Sequence, residues 1–164
     1  MLDRSSVLGS ATEFEHDGVR IAELPGLELT QLAGDDKELK KALGKLPGFG
    51  SAIEQDLHTV FRVARQQVWV VGAPPDDKGC FVTPLSSGRM RFVVEGERAR
   101  DVLASCAAID FSVEAFAPGA VAMTGIHHTP VLIHCVSDKA FHLYAMRSFG
   151  LSVFEWLCDA AHGN

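Results

Sequence analysis

The chain has 164 residues and a mass of 17.7 kDa, with 47% apolar and 22% charged side chains. This size and mix suit one compact domain or two small lobes sharing a core, with roughly 70% of the unfolded surface buried, and exclude wholesale disorder. The formal charge of −6 argues against a nucleic-acid grip, which needs a basic footprint, and no apolar run approaches the ~18 residues of a membrane span.

Residues 1–18 mix Asp, Ser, Glu, Gly and His without apolar periodicity and read as an N-terminal arm outside the core. A single α+β domain over 19–164 is expected to follow, in two small lobes at about 19–73 and 79–164, each with a strand-helix unit and an antiparallel sheet. The first lobe opens with a strand at 27–33, closed by Gly34. Asp35 and Asp36 then begin a helix in which Leu39, Ala42, Leu43 and Leu46 recur at the spacing of one buried stripe, stopped by Pro47 and Gly48. Strands at 59–63 and 68–71 follow, joined through Arg65-Gln66-Gln67. Ala73-Pro74-Pro75-Asp76-Asp77 is the strongest breaker in the chain and the expected boundary between lobes.

The second lobe begins with a strand at 80–83, a turn through Ser86-Ser87-Gly88 and a strand at 89–94. Met90, Phe92 and Val94 alternate with Arg89 and Arg91 along it. After Gly96 comes a helix with Ala99, Val102, Leu103 and Cys106 on one stripe. The two lobes thus share a strand, glycine, helix order, which an internal repeat and the chance recurrence of a common unit explain equally well. Strands at 120–126, 131–136 and 141–146 come next, with Asp138-Lys139 as a two-residue hairpin loop. That loop length places Leu132, His134, Val136, Phe141, Leu143 and Ala145 on one face, and Cys135 with His142 on the other. A last helix at 149–161, with Ser148 as its N-cap, is apolar around most of its circumference and is expected to be buried on several sides or docked on another chain.

Little in this pattern resembles catalytic equipment. Cys80, Cys106, Cys135 and Cys158 are widely spaced without a C-x-x-C pair, and no export signal precedes them, so reduced thiols in a cytoplasmic protein are expected. Cys135 and His142 would face each other as the start of a nucleophilic dyad, but no third group orients the imidazole, and packed core residues are the default. His134 reads as a core histidine, and the adjacent His127 and His128 lack metal-ligand spacing. Asp35-Asp36 and Asp76-Asp77 fit helix-end and turn chemistry. Arg89, Arg91, Arg98 and Arg100 cluster among Glu95, Glu97 and Asp101, a solvated face or a contact for an acidic partner.

Several segments in order resemble the gamma subunit of heterotetrameric sarcosine oxidase. These are Pro25 to Gly34, Val68-Trp69-Val70-Val71-Gly72, Gly96 to Ala104, Ile109-Asp110-Phe111, Ala115-Phe116-Ala117-Pro118-Gly119, Pro130 to His134, Arg147-Ser148-Phe149 and Phe154 to Ala161. The resemblance covers about residues 18–162. It implies a fold similar to the folate-binding part of aminomethyltransferases and a place beside alpha, beta and delta subunits. In that family the complex oxidatively demethylates sarcosine or a related N-methyl amine and passes the one-carbon unit to tetrahydrofolate. The resemblance further implies that FAD, FMN, NAD, tetrahydrofolate and zinc reside in the other subunits, with no cofactor, metal or catalytic residue in this one. Arg89, Arg91, Arg147, Phe149, Phe154 and Trp156 are then the expected partner-contact residues. The competing reading is a free-standing folate-binding or aminomethyl-transferring protein, similar to an aminomethyltransferase, for which only Trp69, Tyr144 and Trp156 are large polar-edged aromatics; a thiol enzyme acting through Cys135 is the third.

Overall fold

A computed structural model describes residues 5–10 and 12–163. The elements in chain order are β1 (Glu13–His16), β2 (Val19–Leu24), β3 (Leu29–Ala33), α1 (Asp36–Leu43), β4 (Ala52–Gln55), β5 (His58–Ala64), β6 (Gln67–Gly72) and β7 (Phe81–Pro84). They continue with β8 (Arg89–Gly96), α2 (Ala99–Cys106), β9 (Val121–Ile126), β10 (Thr129–Ser137), β11 (Ala140–Met146), one 3-10 turn (Arg147–Phe149) and α3 (Gly150–Gly163). The strands form two antiparallel sheets, a six-stranded one in the order β1-β2-β8-β11-β10-β9 and a five-stranded one in the order β4-β5-β6-β3-β7.

The sheets do not respect the expected lobes. Strand β2, from the first half, pairs with β8 in the six-stranded sheet, while β7, which follows the proline-rich breaker, pairs with β3 in the five-stranded one. Residues 73–79 therefore join two strands of the five-stranded sheet, β6 and β7, and the chain crosses between sheets before β3 and again between β7 and β8. The exchange also resolves the repeat. The run β3-α1-β4-β5-β6 gives the order β3-β6-β5-β4, and β8-α2-β9-β10-β11 gives β8-β11-β10-β9. Each is completed by the strand that precedes the other, and the equivalent starts of β4 and β9 meet in a bridge between Ser51 and Ala120. Two copies of one unit thus swap their leading strands.

Four layers result, helices α2 and α3, the six-stranded sheet, the five-stranded sheet, and α1. Ile21, Phe92, Val94, Ile133, Phe141 and Leu143 face α2 and α3, where Val102, Leu103, Val153 and Leu157 meet them. Between the sheets lie Leu29, Phe61, Trp69, Leu132 and Tyr144. Leu39 and Leu43 of α1 close the outer face over Leu32, Val60, Val68 and Val70, as the stripe predicts. Asp35 starts α1 by accepting from the Lys37 and Glu38 amides, while Glu38 accepts from the Asp35 amide at 2.9 Å, a reciprocal capping box.

Four local expectations are corrected. The arm is not loose where it is described, since Glu13–His16 pairs with β2 and Leu8 is buried in the helix-side core; residues 1–4 and 11 lie outside the described residues. No strand was expected at β2 or β4. Ser148 does not cap α3; it sits inside the 3-10 turn that leads into the helix. The last helix is covered on its Val153, Phe154, Leu157 and Ala161 face by its own chain, which accounts for much of its apolar circumference.

Candidate functional site

The proposed thiol–imidazole pair fails on register. The loop is the expected Asp138-Lys139, with Ser137 opposite Ala140, but a bulge between Cys135 and Ser137 then places Cys135 opposite Phe141 and His134 opposite His142. Side chains alternate faces along a strand, so one inserted residue sends everything beyond it to the other side. Cys135 therefore points toward the helices, where its thiol meets the Ser137 carbonyl at 3.3 Å and lies 3.8 Å from an Arg100 nitrogen. Burial raises its pKa, with Arg100 opposing in part. His142 lies across the sheet on the opposite face, so the two cannot exchange a proton.

The turned-in histidines form a seam between the sheets. His134 is 3% exposed, and its ring lies 5.1 Å from Phe61 and 6.4 Å from His142. Its Nε2, with Arg91 Nε and His58 Nε2, is buried without a protein hydrogen-bond partner. Burial lowers the pKa of His134, and burial with the Arg91 charge and His134 takes His142 down to about 4. Burial also raises the pKa of Tyr144, although Arg91 beside its hydroxyl opposes this. The imidazoles are thus neutral at pH 7, that of His134 buried and that of His142 half-buried. Where the seam opens, Arg91 and His58 line a shallow depression of about 380 Å³ with Glu28 and Asp56, an arrangement of mixed charge. Among the described residues no three His, Cys, Asp or Glu groups converge as metal ligands.

The arginine cluster separates into different environments. Arg98 pairs with Asp17 at 2.8 Å. Arg100 donates to the carbonyls of Phe111 at 2.6 Å, Phe116 at 3.1 Å and Asp138 at 3.0 Å, with its guanidinium 5.1 Å from the Phe141 ring centre. This node, which holds the loop after α2 against the sheet, was invisible to sequence reasoning because its acceptors are backbone atoms. Arg91 turns inward to the seam. Arg89 stands over Trp69 and shares a cavity of about 190 Å³ with Arg147.

The expected contact residues are therefore not one surface. Arg89, Arg147 and Phe149 gather at the strand ends before α3, with Phe149 43% exposed. Trp156 lies elsewhere, half-buried with its ring centre 4.5 Å from that of His127. Phe154 is 6% exposed and stacks on Phe92, so it belongs to this chain's own core, and Arg91 is engaged between the sheets. The acidic pairs do what turn and helix-end chemistry predicts, Asp35 as a cap and Asp77 accepting from the Gly79 amide at 3.2 Å.

Two β-α-β-β-β units that exchange their leading strands and pack sheet against sheet define an α+β fold found in solved proteins. The fold is that of a chain in the heterotetrameric sarcosine oxidase from Corynebacterium sp. U-96, determined in complex with pyrrole 2-carboxylate. The TM-score is 0.82 at 20% identity, over 93% of this chain and 89% of that one. It is also similar to the glycine cleavage system aminomethyltransferase T from Bartonella henselae, with a TM-score of 0.61 at 13% identity; 85% of this chain matches 45% of that one, so this chain spans less than half of the transferase. No family model matches the sequence, and no curated protein sequence aligns with it significantly.

Proposed function

We propose that this chain is a non-catalytic, gamma-type subunit of a heterotetrameric sarcosine-oxidase-like complex that oxidatively demethylates sarcosine or a related N-methyl amine. The observation that carries this reading is the likeness in fold along nearly the full length of both chains. The ordered motifs from Gly96 to Ala161 point the same way, and the residues that looked reactive are packed in the core. On this reading alpha, beta and delta subunits are the partners, and FAD, FMN, NAD, tetrahydrofolate and zinc reside in them. Cytoplasmic assembly agrees with four cysteines that are all free thiols. No helix among the described residues is long and apolar enough to cross a membrane.

Co-expression with the candidate partner chains, followed by native mass spectrometry and an absorption spectrum, tests the proposal. Recovery of a heterotetramer with flavin bands is expected; recovery of the chain only as a lone monomer overturns it.

The likeness to aminomethyltransferase favours a second reading, folate binding by the chain alone. The aromatic platforms fit that poorly. Trp69 is 6% and Tyr144 2% exposed, so neither ring face is open to a pterin, and Trp156 packs on His127. Titration of the isolated chain with tetrahydrofolate separates the two, since tight binding would favour the second.

A further inference from the structure

Arg89 at the start of β8 and Arg147 in the 3-10 turn come from separate elements yet line the same cavity of about 190 Å³. Their backbones are fixed beside one another. Arg89 is the cross-strand partner of Met146, and the Arg147 amide donates to the Gly88 carbonyl at 3.0 Å. The Arg89 guanidinium carbon lies 5.4 Å from the centre of the Trp69 ring, whose Nε1 is anchored on Gln31 at 3.2 Å. This cation–π contact holds the guanidinium, whose Nη1 donates to the Gly88 carbonyl at 3.4 Å, and leaves its other N–H groups for a further acceptor. Arg147 donates to the Ser5 carbonyl.

Neither arginine forms an ion pair among the described residues, whereas Arg20, Arg62, Arg98 and Arg100 all do. One carboxylate lines the cavity, that of Glu23, and it accepts from the Ser6 hydroxyl. The result is a small cationic hollow in a chain whose formal charge is −6. Leu24, Pro25, Leu27 and Met90 give it apolar walls, and Met146, Phe149 and Leu151, neighbours of Arg147 in the chain, are 36%, 43% and 47% exposed. The volume falls below the roughly 300 Å³ at which small-molecule sites begin, and suits a single side chain better than a pterin or a nucleotide. Arginine set among apolar groups that exclude water is the composition of an interface anchor.

We infer that this hollow is a socket for one acidic side chain, an Asp or Glu flanked by apolar residues, presented by a partner chain of the complex. The inference rests on the assembly proposed above and adds where the assembly is held. Closure of the partner over the socket removes water from the ion pair. Charge complementarity there fixes the register of the two chains.

The test uses the purified complex. Arg89→Lys and Arg147→Lys each place a primary amine in the socket, and a carbodiimide joins an amine only to a carboxylate in contact with it. The expected result is a cross-link from the introduced amine to an Asp or Glu of another chain. The double charge reversal Arg89→Glu/Arg147→Glu is expected to weaken assembly by about 30-fold or more while the isolated variant keeps a cooperative melt. A complex that assembles with unchanged affinity and cross-links only to Glu23 overturns the socket and leaves the subunit reading standing. A chain recovered only alone overturns both. Stabilisation of the isolated chain by acetate, lost in Arg89→Gln, assigns the hollow to a free carboxylate and also overturns the socket.

Discussion

Arg100 and Arg91 lie nine residues apart on opposite faces of the six-stranded sheet, and the two regions they occupy solve the burial of polar groups differently. On the helix side, Arg100 meets three carbonyls within 3.1 Å and caps the Phe141 ring. On the seam side, Arg91 Nε, His58 Nε2 and His134 Nε2 are buried without protein partners. A satisfied buried charge organises what surrounds it; a buried polar atom without a partner carries its desolvation cost. The helix side should therefore be intolerant of change. The seam should tolerate, and even gain from, the loss of its polar atoms.

The strongest challenge to this contrast is Phe141→Ala. Phe141 is fully buried, with its ring centre 6.1 Å from that of Phe111 and 6.3 Å from that of Phe116. Its truncation is expected to cost about 3–5 kcal/mol by urea denaturation. A loss below 1 kcal/mol would mean the site collapses and the helix side is not rigid. Next, Arg100→Ala is expected to cost about 3 kcal/mol, because three carbonyls lose a charged donor at once. Arg100→Lys should recover less than half of this, since a single ammonium cannot match the fork. Full recovery would show that charge alone, and not geometry, makes the node.

The seam responds to pH. With a folded pKa of about 4 against an ordinary 6.5, His142 is neutral when folded and takes up its proton on unfolding. The unfolded state therefore binds more protons between pH 6.5 and 4, and stability falls as pH drops through that window. His134 acts with the same sign. Melting temperatures across the window, compared with those of His142→Asn, check this; an unchanged slope in the variant sinks the assignment. The smallest effect belongs to His134→Leu, expected to leave stability within about 1 kcal/mol of the parent or raise it, since an unpaired buried nitrogen is removed. A loss beyond that would show that a water or another group satisfies His134.

Local signals in the sequence carried a good part of this architecture. The acidic cap of α1, the alternation in β8 and the 138–139 loop all rest on neighbours within a few residues and appear as expected, while the leucine stripe is right through Leu43 and the helix ends there, at Gly44, before Leu46 and Pro47. What escaped depends on distant pairing. Nothing within Val19–Leu24 says that it joins β8, and nothing in Phe81–Pro84 says that it returns to β3. The bulge after Cys135 escaped for a different reason: a single added residue leaves composition and periodicity intact while reversing which side chains meet. It alone decided against the Cys135–His142 dyad. For the contact residues, alternation correctly set Arg91 against Met90 and Phe92, but a charged face reads as solvent-facing, and only the second sheet packed over it turns Arg91 inward.

The traded strands β2 and β7 work as a clasp. Cutting the chain within 73–79 would leave one piece with β2 facing no β8, and the other with β7 facing no β3. Neither half carries a complete sheet, so neither has an independent melting point. The two copies are expected to come apart in one cooperative step, and to close slowly, because both keystone pairings join residues far apart along the chain.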